Sequence, residues 1–363
     1  MKERRKRNMS GTGLLFLFCL LMLCGCAQIT GFMENTEVSG REVESLVAEK
    51  EDDTVLLGGM PVGIYMETDG VLVLDTEKMT GMDGKEYTPA QGVVSSGDYI
   101  TEVNHQKIEG KKQLMDLVEH LDGEKVLLTV RRENTILEKK LTPVQISKGN
   151  YRLGIWVRDN VQGLGTITFL TKNNRFAALG HGIHDIDTST LLTIKRGTLY
   201  RTSIQKVQKG SKGNPGTMEG IIVYNRFHRL GVIEKNTDAG IYGELNSDRS
   251  WIGEEVPIQV AKKEEIKTGE ARIRCYIDGE VKEYTICITQ IDKESDQVNK
   301  GMVIQVTDTE LQKKTGGIIQ GMSGSPILQN GKLIGAVTHM VTSQPDSGYG
   351  IYIDWMLEEA RHD

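Results

Sequence analysis

Cysteine is scarce. Five occur in 363 residues, and three of them, Cys19, Cys24 and Cys26, sit in an apolar N-terminal segment. Cys275 and Cys287 are left for the folded part, and the Asp278-Gly279 turn between them would set Cys275 opposite Lys282 instead of Cys287. Basic excess is also missing: the net charge is -6, so the chain lacks the electrostatic footprint of a nucleic-acid binder and no nucleic acid partner is expected. The glycine-rich run Gln208 to Thr217 lacks the G-K-[ST] ending of a phosphate loop. His181 and His184 have HxxH spacing, but Gly182 and the lack of an HExxH pattern exclude a zincin site, so no metal and no cofactor are expected. Prolines number only seven against forty-one glycines, and with many Val, Ile and Thr residues this favours a turn-rich, mainly β chain over a helical bundle.

The most informative stretch runs from Gly316 to Tyr349. At its centre, Gly321-Met322-Ser323-Gly324-Ser325-Pro326 lets a serine occupy a sharp turn with its hydroxyl exposed and backbone N–H groups aimed at one spot. An apolar run, an Asn330-Gly331 turn signal and a second apolar run follow, which reads as a hairpin. The order G-x-S-G-x-P, strand, N-G, strand resembles the nucleophile region of chymotrypsin-like serine peptidases. Ser323 is then the nucleophile, with Ser325 as its rival, and the N–H groups of Gly321 and Ser323 form the oxyanion hole. Upstream, His181 lies between two glycines at the end of an apolar strand and is the candidate base. The residues alone leave two candidates for the third member of a triad, Asp238 and Asp308. Val337, Thr338 and His339, on the strand after the Asn-Gly turn, are expected to flank the substrate.

Residues 2 to 7 are basic and the stretch from Asn8 to Met33 carries no charge, which predicts a secretory signal or membrane anchor over residues 1–33, with an acidic tether over 34–53. Leu23-Cys24-Gly25-Cys26 also resembles a lipoprotein cleavage box. From 54 to 145 the chain resembles a PDZ domain. Val62, Gly63 and Ile64 match its peptide-holding loop, Gly97-Asp98-Tyr99-Ile100 with Val103-Asn104 its core, and Lys111 to His120 an amphipathic helix beside the groove. Regularly spaced strand patterns from 150 to 363 predict a chymotrypsin-like double β-barrel. The expected fold is thus mainly β: a small α+β PDZ domain followed by a double barrel, preceded by a membrane segment.

Taken together, LGIWVRD, ALGHGIHDIDT and QGMSGSPILQNGKLIGAVTH resemble the stage IV sporulation protein B peptidase family of spore-forming Firmicutes, in which the PDZ domain precedes the peptidase. The resemblance implies a secreted or membrane-tethered serine endopeptidase acting in the space between forespore and mother cell. It would cleave the regulator of a membrane-embedded protease, so that a late sigma factor precursor is matured, and would cut itself near its N-terminus. Its implied partners are that protein substrate, itself, a protein inhibitor, and the membrane through the N-terminal segment. The match assigns His181, Ser323 and Asp308, and so prefers Asp308 over Asp238. Two other readings stand beside it: a PDZ scaffold with an inactive peptidase fold, and an HtrA-like quality-control protease.

Overall fold

Two unusually long antiparallel strands, Pro61–Thr76 and Ile155–Leu170, run side by side from the Ile155–Thr76 pair to the Thr166–Pro61 pair. Their alternating apolar residues account for this: Val62, Ile64, Met66 and Ile167 are all buried on one side. The computed structural model describes residues 54–361, so the expected signal or anchor, the acidic tether and the lipoprotein box lie outside the described residues. Among the described residues, no helix is long and apolar enough to cross a membrane.

The lower halves of the two long strands belong to a first barrel. Ile155–Leu170 pairs with Arg175–Ala178, which pairs with Gly240–Leu245, then Arg229–Thr237, then Ile194–Tyr200, which returns to Pro61–Thr76. Closure leaves no free edge in this ring. A second closed barrel uses Gly269–Ile277, Glu280–Ile291, Met302–Val306, Gln344–Tyr352, Lys332–Val341 and Pro326–Gln329. Its interior is filled by Ile273, Ile286, Ile288, Ile304, Ile327 and Ile334. Phe169 and Tyr242 from the first barrel, Leu333 and Ala336 from the second, and Ile353 and Met356 of the C-terminal helix Ile353–Arg361 share one further apolar cluster, which fixes the barrels against each other.

The upper halves of the long strands enter a small α+β module. There Val71 and Leu72 pair with the strand Tyr99–Val103, which pairs with Val126–Arg132, and that strand with Thr135–Leu141. The helix Lys111–Glu119 buries Leu114 against Val71, Ile100, Leu128 and Leu153.

Two expectations are corrected. The boundary near residue 150 does not separate two consecutive domains, because Pro61–Thr76 is a stave of the first barrel and the module is inserted between that strand and its barrel neighbour. Val62, Gly63 and Ile64 do not form a peptide-holding edge: Gly63 pairs with both Leu164 and Tyr200, and Ile64 with both Gly163 and Leu199. With both edges of the strand occupied, no added strand can pair there. The expected register around Asp278-Gly279 is observed, with Cys275 opposite Lys282 and both thiols free.

Candidate active site

The chain turns sharply where the short strand Arg175–Ala178 ends at the rim of the first barrel. Leu179 and Gly180 both take left-handed conformations, and His181 emerges into a cleft of about 620 Å³. Its Nδ1–H donates to Gly182 O at 2.8 Å, which leaves Nε2 as the atom with a free lone pair. The same carbonyl accepts from His184 Nδ1 at 3.2 Å, and His184 Nε2 lies 3.7 Å from Asp238 Oδ1. The loop is held from two sides. Asn236 accepts from Ile183 N–H and donates to the carbonyls of Ile183 and Leu192, while Arg158 pairs with the fully buried Asp185 and with Asp187. Burial works against the Asp185 charge, but N–H donors from Thr188 and Asp187 together with Arg158 hold its carboxyl below the usual range.

The other wall of the cleft is the turn Gly321–Ser325, just before the second-barrel strand Pro326–Gln329. Positive φ at Gly321 (100°) and Gly324 (91°) lets the chain reverse around Ser323. At Gly324 a Cβ would stand 2.0 Å from Thr166 O, so no other residue fits there. First-barrel groups clamp the turn: Thr166 N–H donates to Ser323 O, Thr166 Oγ1 to Gly321 O and Thr168 Oγ1 to Gly324 O. Met322, Gly324 and Ser325 N–H groups donate within the protein, to Ile319, Val337 and Met322 carbonyls. Those of Gly321 and Ser323 find no acceptor among the described residues.

Ser323 Oγ donates to Thr338 O at 2.7 Å, and the His181 ring lies 4.4 Å from the His339 ring. Ser323 and His181 therefore share one cleft without a direct hydrogen bond. Burial holds the His181 imidazole below its ordinary value; the bond to Gly182 O opposes this and His184 adds to it. His339 is lowered to about 4, first by desolvation and then by the charges that His181, Lys300 and His184 would carry.

Several predicted residues sit elsewhere. Asp308 does not reach His181. It caps the helix Thr309–Thr315, Oδ1 accepting from Glu310 and Leu311 N–H at 2.9 and 3.0 Å, and Oδ2 accepts from Thr285 N–H. Asp238 meets His184 instead of His181. Ser325, the rival nucleophile, is wholly buried. Val337 is also buried, within the second-barrel core, whereas Thr338 and His339 line the cleft at a bulge in their strand. The Thr338 hydroxyl is itself turned away, onto Asn299 O. Unforeseen were the clamps Thr166, Thr168 and Asn236; the alternation Gly165-Thr166-Ile167-Thr168-Phe169, polar residues on one face of an apolar strand, was the signal for the two threonines.

The module has its own groove, of about 330 Å³, between helix Lys111–Glu119 and the chain from Asn150 to Val157, walled by Leu114, Met115, Val118, Leu153, Ile155 and Val157. Among the described residues, the strand along Ile155–Arg158 is paired only on the side of Pro61–Thr76, and the helix lies across the groove from it.

Among solved structures, the chain is similar to the active form of the Rv3671c protease from M. tuberculosis, at 15% identity over 57% of this chain and 76% of that one, with a TM-score of 0.32. It is similar to an HtrA-type protease, a variant of AlgW with decapeptide, at 12% identity, over 57% and 52% of the two chains, with a TM-score of 0.34. The PDZ domain of an SdrC-like protein from Listeria monocytogenes matches 24% of this chain and 87% of its own at 24% identity, with a TM-score of 0.20. A Helicobacter pylori protein bearing the name of a zinc metalloprotease is 28% identical over 180 residues, and the chain spans half the length of that relative. The model of the SpoIVB peptidase S55 family matches residues 149–357, over half of the chain and the whole of the second barrel. With that match over more than half of its length, the chain of two barrels whose serine turn faces a histidine across the cleft belongs to the SpoIVB peptidase S55 family.

Proposed function

We propose that the chain is an endopeptidase in which Ser323 attacks a peptide carbonyl and His181 Nε2 takes the serine proton and returns it to the leaving amine. Water then releases the acyl-enzyme. The observation that carries this reading is the pair of N–H groups, on Gly321 and Ser323, left without acceptors among the described residues beside a serine that shares its cleft with a histidine. Such donors are what a developing oxyanion requires. Ser323 Oγ leaves Thr338 O by rotation about χ1 to present its proton to the imidazole. The partner that sets the imidazole tautomer is Gly182 O, and Asp308 acts on stability through its helix cap.

The inserted module acts as a PDZ-like receptor whose peptide lies between helix Lys111–Glu119 and the free edge of Ile155–Arg158, pairing with that edge as an added strand. This replaces Val62, Gly63 and Ile64 with Leu153, Ile155 and Val157 as the peptide-facing set. From the family resemblance follow an extracytoplasmic, membrane-tethered location, cleavage of the regulator of a membrane-embedded protease during sporulation, and self-cleavage near the N-terminus. The test is reaction with a fluorophosphonate probe and cleavage of the co-expressed regulator by wild type and Ser323→Ala. Loss of both in the variant supports the proposal. Labelling that persists without Ser323 refutes the nucleophile, and an unlabelled wild type favours the scaffold reading.

A further inference from the structure

The first barrel sends out a hairpin, Thr202–Gln208 and Thr217–Ile222, whose tip reaches the second barrel. Gly210 N–H donates to Thr315 O, and Gly213 N–H to Thr342 O. Two further bonds fall on the residue before the oxyanion-hole glycine: Gln320 N–H donates to Gly216 O, and Met218 N–H donates to Gln320 O, both at 2.9 Å. That second bond has a geometric consequence. The Gln320 carbonyl and the Gly321 N–H belong to one planar trans peptide and point in opposite directions. Tying the carbonyl to the hairpin therefore aims the Gly321 N–H the other way, toward the cleft that Met218, Gly321 and Ser323 line together. The barrier to turning this peptide over is otherwise low. Gly321 carries no side chain, its φ is 100°, and rotation of the whole peptide about its flanking bonds would withdraw the donor.

We infer that the hairpin is the latch of the oxyanion hole, with the backbone N–H of Met218 as the positioning group for Gly321. This rests on the reading of Ser323 as nucleophile and adds what holds its transition-state donor in place. Met218 is a positioning residue here, since its N–H touches Gln320 and not the reacting atoms. The latch also explains the glycine at position 216. A Cβ at Gly216 would meet Gly210 N and Ile319 Cγ2 at 2.5 Å each, so the tip can approach the nucleophile loop only without one.

The experiment replaces the amide at Met218 with an ester in the full chain, using the α-hydroxy analogue of methionine, which deletes the N–H and keeps the side chain. The control is the same replacement at Ile221, on the same strand and exposed. The readouts are the rate of fluorophosphonate labelling and the thermal midpoint. Loss of one oxyanion donor slows catalysis by about 10²- to 10³-fold. The ester at 218 is accordingly expected to label at least about 10-fold more slowly than the control, with midpoints alike. Equal rates overturn the latch, as does a loss of rate only in proportion to a fall in midpoint. Should the 218 ester fail to fold, an ester at Gln320, which deletes the bond to Gly216, is read by the same two criteria. Labelling of Ser323→Ala would instead sink the nucleophile itself, so the two failures are told apart.

Discussion

Replacing Thr168 by valine tests the clamp between the barrels at one atom. Thr168 is fully buried and its Oγ1 gives Gly324 O the one hydrogen bond that carbonyl has among the described residues, at 2.8 Å. Valine keeps the shape and removes the donor, leaving a buried carbonyl unpaired at a cost of about 1–3 kcal/mol. A methyl group also cannot approach an oxygen that closely, so the turn must move away from the strand. With an unfolding entropy of about 2.1 cal/mol/K per residue over about 300 residues, 2 kcal/mol corresponds to a fall in melting temperature of roughly 3 °C. Gly324 adjoins Ser323, so the shift should also reduce the fluorophosphonate labelling rate. Thr168→Ser keeps the hydroxyl and should keep most of that rate. Calorimetry and timed labelling of the three proteins decide the matter. A valine variant that melts within about 1 °C of wild type (below about 1 kcal/mol) and labels equally fast would mean that the turn does not depend on this bond.

Asp308→Ala should cost about 0.5–2 kcal/mol as a lost helix cap, and Asp308→Asn should restore most of the stability and activity, because asparagine caps as well as aspartate; an inactive, fully stable Asn variant would instead make Asp308 part of the chemistry. Arg158→Ala strands the buried Asp185 and should destabilise by about 3–5 kcal/mol in chemical denaturation. A cost under about 1 kcal/mol would show that water reaches that carboxylate. As a base His181 must be neutral. With its pKa lowered, activity should be full near neutral pH and fall tenfold per unit only below the ordinary 6.5, so an acidic limb centred above about 7 would contradict its environment. His339 is lowered to about 4, so the folded state binds fewer protons than the unfolded one between about 6.5 and 4. Stability should then be complete above that window and decline as the pH falls through it, less steeply in His339→Asn. Identical midpoint-against-pH curves for the two proteins would remove His339 from the account.

Patterns with one physical solution were legible in the sequence. Asn330-Gly331 needs positive φ at both residues and has it, at 52° and 75°, so the hairpin after Ser323 could be placed from two letters. The Asp278-Gly279 turn fixed the register of the two cysteines in the same way. Other patterns admit two solutions. Pro61-Val62-Gly63-Ile64-Tyr65-Met66 alternates as well for a barrel stave as for a peptide-holding edge, and only the strands on both sides decide. An aspartate directly before a helix reads equally as a cap or as the partner of a catalytic histidine, and the letters around Asp308 do not separate the two. The latch joins residues over 100 positions apart through backbone groups, which leave no trace in side-chain identity, and the letters Thr166 and Thr168 show a polar face without naming the distant carbonyls of Gly321 and Gly324 that it holds.

The way the module joins the first barrel bears on how the protein can be cut and rebuilt. Thr76 and Ile155 stand opposite each other as the last ladder pair, so a short turn could replace everything between them and leave the ring of staves intact. A fragment begun at residue 150 would, in contrast, lose Pro61–Thr76 and open the barrel that carries His181. The inserted module can be excised from the two barrels, but the barrels cannot be obtained by trimming away everything before residue 150.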